Sequence, residues 1–287
     1  MLKDYILATS IEEALVCLKT YAGQARIIAG GTDAMLDLSA KKITTSCLLD
    51  ITKVKELKKI ESMDGQIVIG AAVTHSEVKN SDLIRTKAPL LAEASGSVGS
   101  LQIRNTATVV GNVVNAQPAA DAAVALMALG AVVEITEDAG TSYVPIEEMY
   151  LGVGKSKVDS TKQMATSIRF PALLPGQGSA FVRLAQRGAL ALPMLNVAVV
   201  LSLCEDKVEW VRIVMAPVAP KPLRALEAEK YLQGAVINDE LIAKAAKIAV
   251  SEATPRDSAL RGSAEYRKEM LEVLVRRALQ QALTTAR

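Results

Sequence analysis

The sequence is short of the residues that most often carry chemistry. Of its 287 residues one is histidine, three are cysteine and only 3% are aromatic. A single histidine, His75, excludes a histidine-rich metal site. It also leaves no Ser-His-Asp or Cys-His nucleophile unless His75 itself supplies one. His75 follows a strand-like run in AAVTHSEV, where a structural or surface role is commoner than catalysis. Cys17, Cys47 and Cys204 are widely spaced and form no CxxC pair. Alone they cannot hold a four-cysteine iron–sulfur cluster, and an odd count favours a reducing compartment. With so few aromatic rings the core must be built from Ala, Val, Leu and Ile.

Excess charge is lacking too. Lys and Arg number 33 against 31 Asp and Glu, a formal net charge of +2, so nothing marks a nucleic-acid partner. No apolar run reaches membrane-span length; the best, LNVAVVLSLC (195–204), is strand-sized. MLKDYILATS at the start is too short and polar for a secretion signal, so a cytoplasmic location is expected.

Half of the sequence is hydrophobic, enough for one large domain or two ordinary ones. SIEE (10–13) has capping-box spacing ahead of a helix running to about residue 22. RIIA (26–29), SCLLDI (46–51) and QIVIGAAV (66–73) read as strands. Residues 86–100 read as a helix dissolving into a glycine- and serine-rich loop. DAAVALMALG predicts a short helix with Asp121 as its N-cap and Gly130 closing it. AVVEIT, TSYVPI and MATSIRF (131–170) predict strands of a meander. PALLPGQG (171–178) is the best candidate boundary. Beyond it come strands near 179–186, 195–203 and 207–215, the last two a hairpin, then helices near 225–233, 238–252 and 263–284.

Two segments are chemically suggestive. RIIAGGTDAML (26–36) places a glycine pair between a strand and a helix. It lacks both the GxGxxG dinucleotide fingerprint and the GK[ST] of a nucleotide-triphosphate loop. It reads as a connecting turn or as a cradle of backbone N–H groups for an anion, with Thr32 and Asp33 adding polar side chains. The second segment, 96–121, carries glycines, Asn105, Asn112 and Asn115 over a length unusual for an inert loop. Glu12–Glu13, Glu147–Glu148 and EYRKEM (265–270) read as solvated faces, and Trp210 as packing. No catalytic apparatus is visible, so any redox or transfer chemistry falls to a cofactor.

AGGTD (29–33) and QIRNTATVVGN (102–112), about 75 residues apart, together resemble the FAD-binding medium subunits of the molybdenum hydroxylases. AGGTD, rather than AGGHS, leans to the xanthine dehydrogenase-like branch. IGAAVTHSEV (69–78), NAQPAAD (115–121), APVAPKPLR (216–224) and RGSAEYRKEML (261–271) extend the resemblance over essentially the whole chain. It implies an α+β fold: a two-subdomain FAD-binding domain of the vanillyl-alcohol-oxidase type over 1–172, split near residue 55. A smaller C-terminal domain of antiparallel sheet plus helices follows over 176–287.

The resemblance also assigns residues. Arg26, Ile27, Ile28, Ala29, Gly30, Gly31, Thr32 and Asp33 wrap a pyrophosphate. Val98 lies against the cofactor, and Ala107, Thr108, Val110, Gly111 and Asn112 form the second diphosphate and ribityl loop. Asp121 accepts from sugar-like hydroxyls, Met164 is an apolar contact, and Arg183 lies beside the flavin. Two departures stand out. Val110 occupies the first glycine of the usual GGN, a costly exchange if that position needs φ > 0. Arg183 replaces a more usual Lys.

By the same resemblance the partners are a large molybdenum-cofactor subunit and a small [2Fe-2S] subunit, in a dimer of heterotrimers. Electrons leave through FAD to NAD⁺ or another acceptor during oxidation of a purine, another N-heterocycle or an aldehyde. A free-standing FAD oxidase and a flavin-free scaffold are the competing expectations.

Overall fold

The computed structural model describes residues 2–287. Three short strands, β1 (Asp4–Leu7), β2 (Ala25–Ile28) and β3 (Cys47–Asp50), form a parallel sheet in the order β1-β3-β2. Helix α1 (Ile11–Tyr21) makes the β1-to-β2 crossover and α2 (Ala34–Ser39) the next. Ser10 caps α1 by accepting from the Glu13 N–H at 3.1 Å, but the Glu13 carboxylate reaches back to Thr9. The expected box is therefore displaced by one residue.

A second, five-stranded antiparallel sheet joins β4 (Ile60–Met63), β5 (Gln66–Gly70), β6 (Val132–Glu137), β7 (Gly140–Pro145) and β10 (Met164–Pro171) in the order β4-β5-β10-β6-β7. The small hairpin β8 (Tyr150–Gly152) and β9 (Lys155–Ser156) precedes β10. The expected meander is thus interrupted: β10 enters between β5 and β6. β4 and β5 meet at Asp64–Gly65, both left-handed (φ 51° and 75°), as a two-residue hairpin turn requires.

Between β5 and β6 the chain is helical: α3 (His75–Asn80), α4 (Asp82–Lys87), α5 (Pro89–Ser97), α6 (Leu101–Arg104), α7 (Val109–Val114) and α8 (Asp121–Ala128). The segment 96–121, expected as a long loop, is organised around two short helices. Alpha-helix eight is buried on every side, which suits its uniformly apolar sequence. Its N-cap is Ala120, not Asp121, whose carboxylate is committed elsewhere.

The last sheet runs β11 (Gln177–Leu184), β12 (Leu195–Cys204), β13 (Lys207–Ala216) and β14 (Leu223–Arg224), all antiparallel. It is covered on both faces. Phe181, Ala198, Val200, Val214 and Ala216 join the core built around α5 and α8. Ala180, Val197, Val199, Leu201 and Ile213 face α9 (Leu226–Leu232), α10 (Asp239–Glu252) and α11 (Ala264–Ala286). Strict alternation along β12 therefore produces two cores from one strand.

Close docking of α11 depends on Gly178. A Cβ there would lie 1.9 Å from the Ala282 carbonyl oxygen and 2.6 Å from the Ala286 N. Gly178→Ala is expected to pry the end of α11 from β11 and lower stability by about 2 kcal/mol or more. The shift of the urea midpoint measures this, with Gly188→Ala, whose Cβ would meet nothing within 4 Å, as the neutral comparison.

Candidate functional site: a cleft closed by two backbone loops

Strand β2 ends at Ile28 and delivers Ala29–Asp33 to the C-terminal edge of the parallel sheet. Gly31 is left-handed at φ 66°, and α2 begins at Ala34. The other glycine of the pair has a different task. A Cβ on Gly30 would stand 2.1 Å from the Thr106 carbonyl oxygen and 2.8 Å from the Ala107 Cα. Only a residue without a side chain lets the first loop lie against the second.

The second loop, Thr106–Thr108, links α6 to α7. It is held by a short antiparallel bridge: His75 N–H donates to the Ala107 carbonyl at 3.0 Å, and Val109 N–H to the Val73 carbonyl at 3.1 Å. Thr108 caps α7 by accepting from the Gly111 N–H at 3.1 Å. Thr74 caps α3 in a full capping box with Glu77.

These elements surround a cleft of about 680 Å³, within the range of about 300–1,000 Å³ typical of cofactor sites. Its walls are Ile28–Gly31 from the first loop, Thr106 and Thr108 from the second, Thr74, Ser76 and Glu77 from α3, and Tyr5, Asp50 and Thr52 from the neighbouring strand ends. The two acids on these walls already have donors. Asp50 accepts from the Tyr5 hydroxyl and, at 2.7 Å, from the Thr52 N–H; Glu77 accepts twice from Thr74. In contrast, the N–H groups of Gly30, Gly31, Thr32 and Asp33 have no acceptor among the described residues. The Asn112 Oδ1, buried on α7, also has no donor. Unsatisfied donors in succession along a glycine turn suit an anion; Gly30 and Gly31 line the cleft, and Lys58 is the one cation among its lining residues.

The expected site residues fall in three places. Ile28, Ala29, Gly30, Gly31 and Thr108 line the cleft. Thr32 and Asp33 continue the first loop, and Asp33 is pushed above the usual carboxylate range by burial and by Asp37. Ala107 is the middle residue of the second loop, and Val110, Gly111 and Asn112 follow it on α7.

At a second place, Asp121, 5% exposed, is the hub of a buried network. Arg183 Nε donates to its two oxygens at 3.2 and 3.3 Å, and Asn196 Nδ2 donates at 2.6 Å. Burial raises the Asp121 pKa, against the opposing pull of Arg183. Val98 sits nearby, its carbonyl accepting from Arg104 Nη1 at 2.9 Å and Gly99 accepting from the Leu190 N–H.

At the third place, Arg26 and Ile27 border the 159–163 segment, with Ile27 N–H donating to the Ser160 carbonyl at 3.1 Å. That segment leads into Met164, which is buried at the start of β10. Helix α7 packs against both α8 and β10 and so connects the three places.

The expected strain at Val110 is absent. It lies in the first turn of α7 without a positive φ, 3% exposed in the core, so no glycine is needed. Sequence reading missed Tyr5, Asp50, Ser76 and Asn196. The T-H-S-E capping box was a readable signal for the α3 edge of the cleft.

Residues 2–173 match the family described as the FAD binding domain in molybdopterin dehydrogenase. Residues 180–282 match the CO dehydrogenase flavoprotein C-terminal domain. The chain belongs to the FAD-binding medium-subunit family of the molybdenum hydroxylases, which are subunits of oxidoreductase complexes. It is 31% identical to the carbon monoxide dehydrogenase medium chain of Afipia carboxidovorans, over 99% of this chain and 98% of that one. It is 30% identical to the glyceraldehyde dehydrogenase medium chain of Sulfolobus acidocaldarius, over 97% of each. To the xanthine dehydrogenase FAD-binding subunit of Escherichia coli O157:H7 it is 28% identical, over 92% of this chain and 90% of that one. The fold matches carbon monoxide dehydrogenase from Hydrogenophaga pseudoflava with a TM-score of 0.93 at 28% identity, covering 99% and 98% of the two chains.

His75 turns out to be a core residue, fully buried, with neither ring nitrogen hydrogen-bonded. Burial and the nearby Arg104 lower its pKa to about 4. Between that value and the unfolded value of about 6.5 the unfolded chain binds a proton that the folded chain does not, so stability falls as pH falls through this window. From pH 7 to pH 5 this costs about 2 kcal/mol. Urea denaturation at both pH values is expected to show that extra loss in the native protein and not in His75→Met.

Proposed function

We propose that this chain is the electron-exit subunit of a heteromeric molybdenum hydroxylase. It holds FAD across the two loops and passes electrons from [2Fe-2S] clusters on a small partner to NAD⁺ or another acceptor. The observation that carries the reading is the juxtaposition of the Gly30–Asp33 N–H groups with the Thr106–Thr108 loop, possible only because Gly30 lacks a Cβ.

The residues present fit the cofactor. The free N–H groups of Gly30, Gly31, Thr32 and Asp33 would hold the pyrophosphate, with Thr108 and the Asn112 amide serving the second loop. Asp121, Arg183 and Val98 would serve the flavin end, with Arg26, Ile27 and Met164 at the remaining edge. Ala107, Val110 and Gly111 set the backbone of the second loop. Bound FAD would supply the redox chemistry, accepting electrons singly and releasing them as a pair. The chain's own part is to fix and orient the cofactor and to shield it from water. Among the described residues no group of three or more His, Cys, Asp or Glu side chains could hold a metal ion. That fits a division of labour in which the molybdenum cofactor and the clusters reside on partner subunits.

The oxidised substrate, a purine, another N-heterocycle or an aldehyde, would bind on the large partner. The named relatives are chains of a carbon monoxide dehydrogenase, a glyceraldehyde dehydrogenase and a xanthine dehydrogenase, which supports a flavin subunit indifferent to the primary substrate.

The chain purified with excess FAD is expected to retain about one flavin per chain, read from its visible absorbance. Gly30→Ala should reduce FAD affinity at least tenfold by parting the loops. A colourless wild-type protein, or a Gly30→Ala protein that binds FAD as tightly as wild type, would overturn the reading. Copurification of molybdenum- and iron–sulfur-containing partners tests the assembly.

A further inference from the structure

Of the lysines that crowd the end of the first subdomain, Lys53, Lys55, Lys58 and Lys59, only Lys58 lines the cleft. The backbone fixes it there from both sides. Lys55–Lys58 form a single 3₁₀ turn, anchored in the core by Leu57, 2% exposed. The Leu57 carbonyl accepts from the Ala72 N–H at 2.9 Å, and the Lys59 carbonyl from the Gly70 N–H at 2.9 Å. Gly70 makes this closeness possible, since a Cβ there would stand 2.3 Å from the Leu57 carbonyl oxygen. Lys58 is thus bracketed by two backbone hydrogen bonds to the end of β5 and the residues after it. Its neighbour Lys59 lines a separate cavity of about 330 Å³, together with Glu61, Glu134 and Arg169.

The Lys58 ammonium is uncommitted. It forms no ion pair among the described residues, although Asp50 and Glu77 stand on the same walls. Both acids are engaged by local donors, Tyr5 and Thr52 for Asp50 and Thr74 for Glu77. Lys58 is therefore the one charged group lining the cleft that is left without a partner among the described residues.

A diphosphate would bring two negative charges into this space. The N–H groups of Gly30–Asp33 offer it dipoles but no net charge, and the two carboxylates repel it. Near a protein surface Coulomb energies are several times their bulk-water values, so an unpaired ammonium on the wall weighs heavily in that sum. Position matters as well as charge. The N–H donors follow β2 in the parallel-sheet subdomain, whereas Lys58 lies on the chain entering the second sheet. An anion held by both ties the two subdomains together.

We propose that Lys58 is the counter-charge of the cleft, pairing through its ammonium with the diphosphate of FAD and so linking the second subdomain to the glycine loop. This rests on the flavin reading above.

The test titrates the full-length apo chain with FAD and follows flavin fluorescence. K58Q should weaken binding by about tenfold or more, the worth of a charge-assisted hydrogen bond. K58R, which keeps the charge, should recover most of the loss, and K59Q, which removes the same charge one residue away, should bind as wild type does. The gap between wild type and K58Q should narrow as KCl is raised, because salt screens an ion pair and leaves a packing defect untouched. Unchanged affinity in K58Q, equal weakening in K59Q, or a gap indifferent to salt would each overturn the assignment. A second measurement needs no variant: bound FAD should slow acetylation of Lys58 but not of Lys59, read by peptide mass, and equal rates at Lys58 with and without FAD overturn it too. A wild-type chain that holds no FAD would bring down the flavin reading and this inference with it. Tight binding by both wild type and K58Q would bring down the inference alone.

Discussion

The approach of Gly30 to the Thr106 carbonyl is the contact on which the proposed cofactor cradle depends. It joins a loop from the parallel sheet to a loop from the helical insertion of the second sheet. Each loop is anchored from behind: the first by β2 and the start of α2, the second by the Thr74–Thr108 bridge and the cap of α7. Rigid anchors on both sides let unsatisfied backbone donors face the cleft without collapsing onto one another. The acids on the walls, Asp50 and Glu77, are hydrogen-bonded by local donors, and Lys58 is the one cation beside them. The oriented peptide groups, whose dipoles are fixed by the fold, are therefore what the cleft offers an anion besides Lys58.

The C-terminal sheet is as much a part of this arrangement as the loops. One face of β11–β13 completes the core that contains α5 and α8, and the other carries α9–α11. Across the first face runs the Asp121–Arg183–Asn196 network, joining the first residue of α8 to β11 and β12. Removing Asp121 or Arg183 would leave the other's buried charge unpaired, at a cost of about 3–5 kcal/mol. A hydrophobic contact would resist sliding far less than this directional network does. The network thus sets the C-terminal sheet, and the 185–194 loop hung from it, in register with the loops of the first domain.

Legibility from sequence followed the range of the interactions involved. Periodicity and caps placed α1, α5, α10 and α11 and most strands, because these depend on neighbours within a few residues. Ser263 does cap α11, accepting from the Tyr266 N–H at 3.2 Å. The Asp64–Gly65 turn was readable by the same local logic and was passed over, and β4 with it. What could not be read locally was the strand order of the second sheet and the helicity of 101–114. In that segment small residues look loop-like until tertiary packing buries Val109, Val110 and Val113. Val110 shows how a motif can mislead: glycine in relatives implied a special backbone, but the position is ordinary helix facing the core.

The candidate site was legible as a pair of segments and not as a geometry. The two glycines of AGGTD look alike in sequence, yet one is needed for a left-handed turn and the other for the space its missing Cβ leaves. Asp121 looked like a helix cap and is instead the charged centre of an interdomain network, a role fixed by Arg183 and Asn196 more than 60 residues away. Donors left over after a fold has satisfied itself mark where a ligand belongs. In this chain successive backbone donors are left over along the glycine turn of residues 30–33.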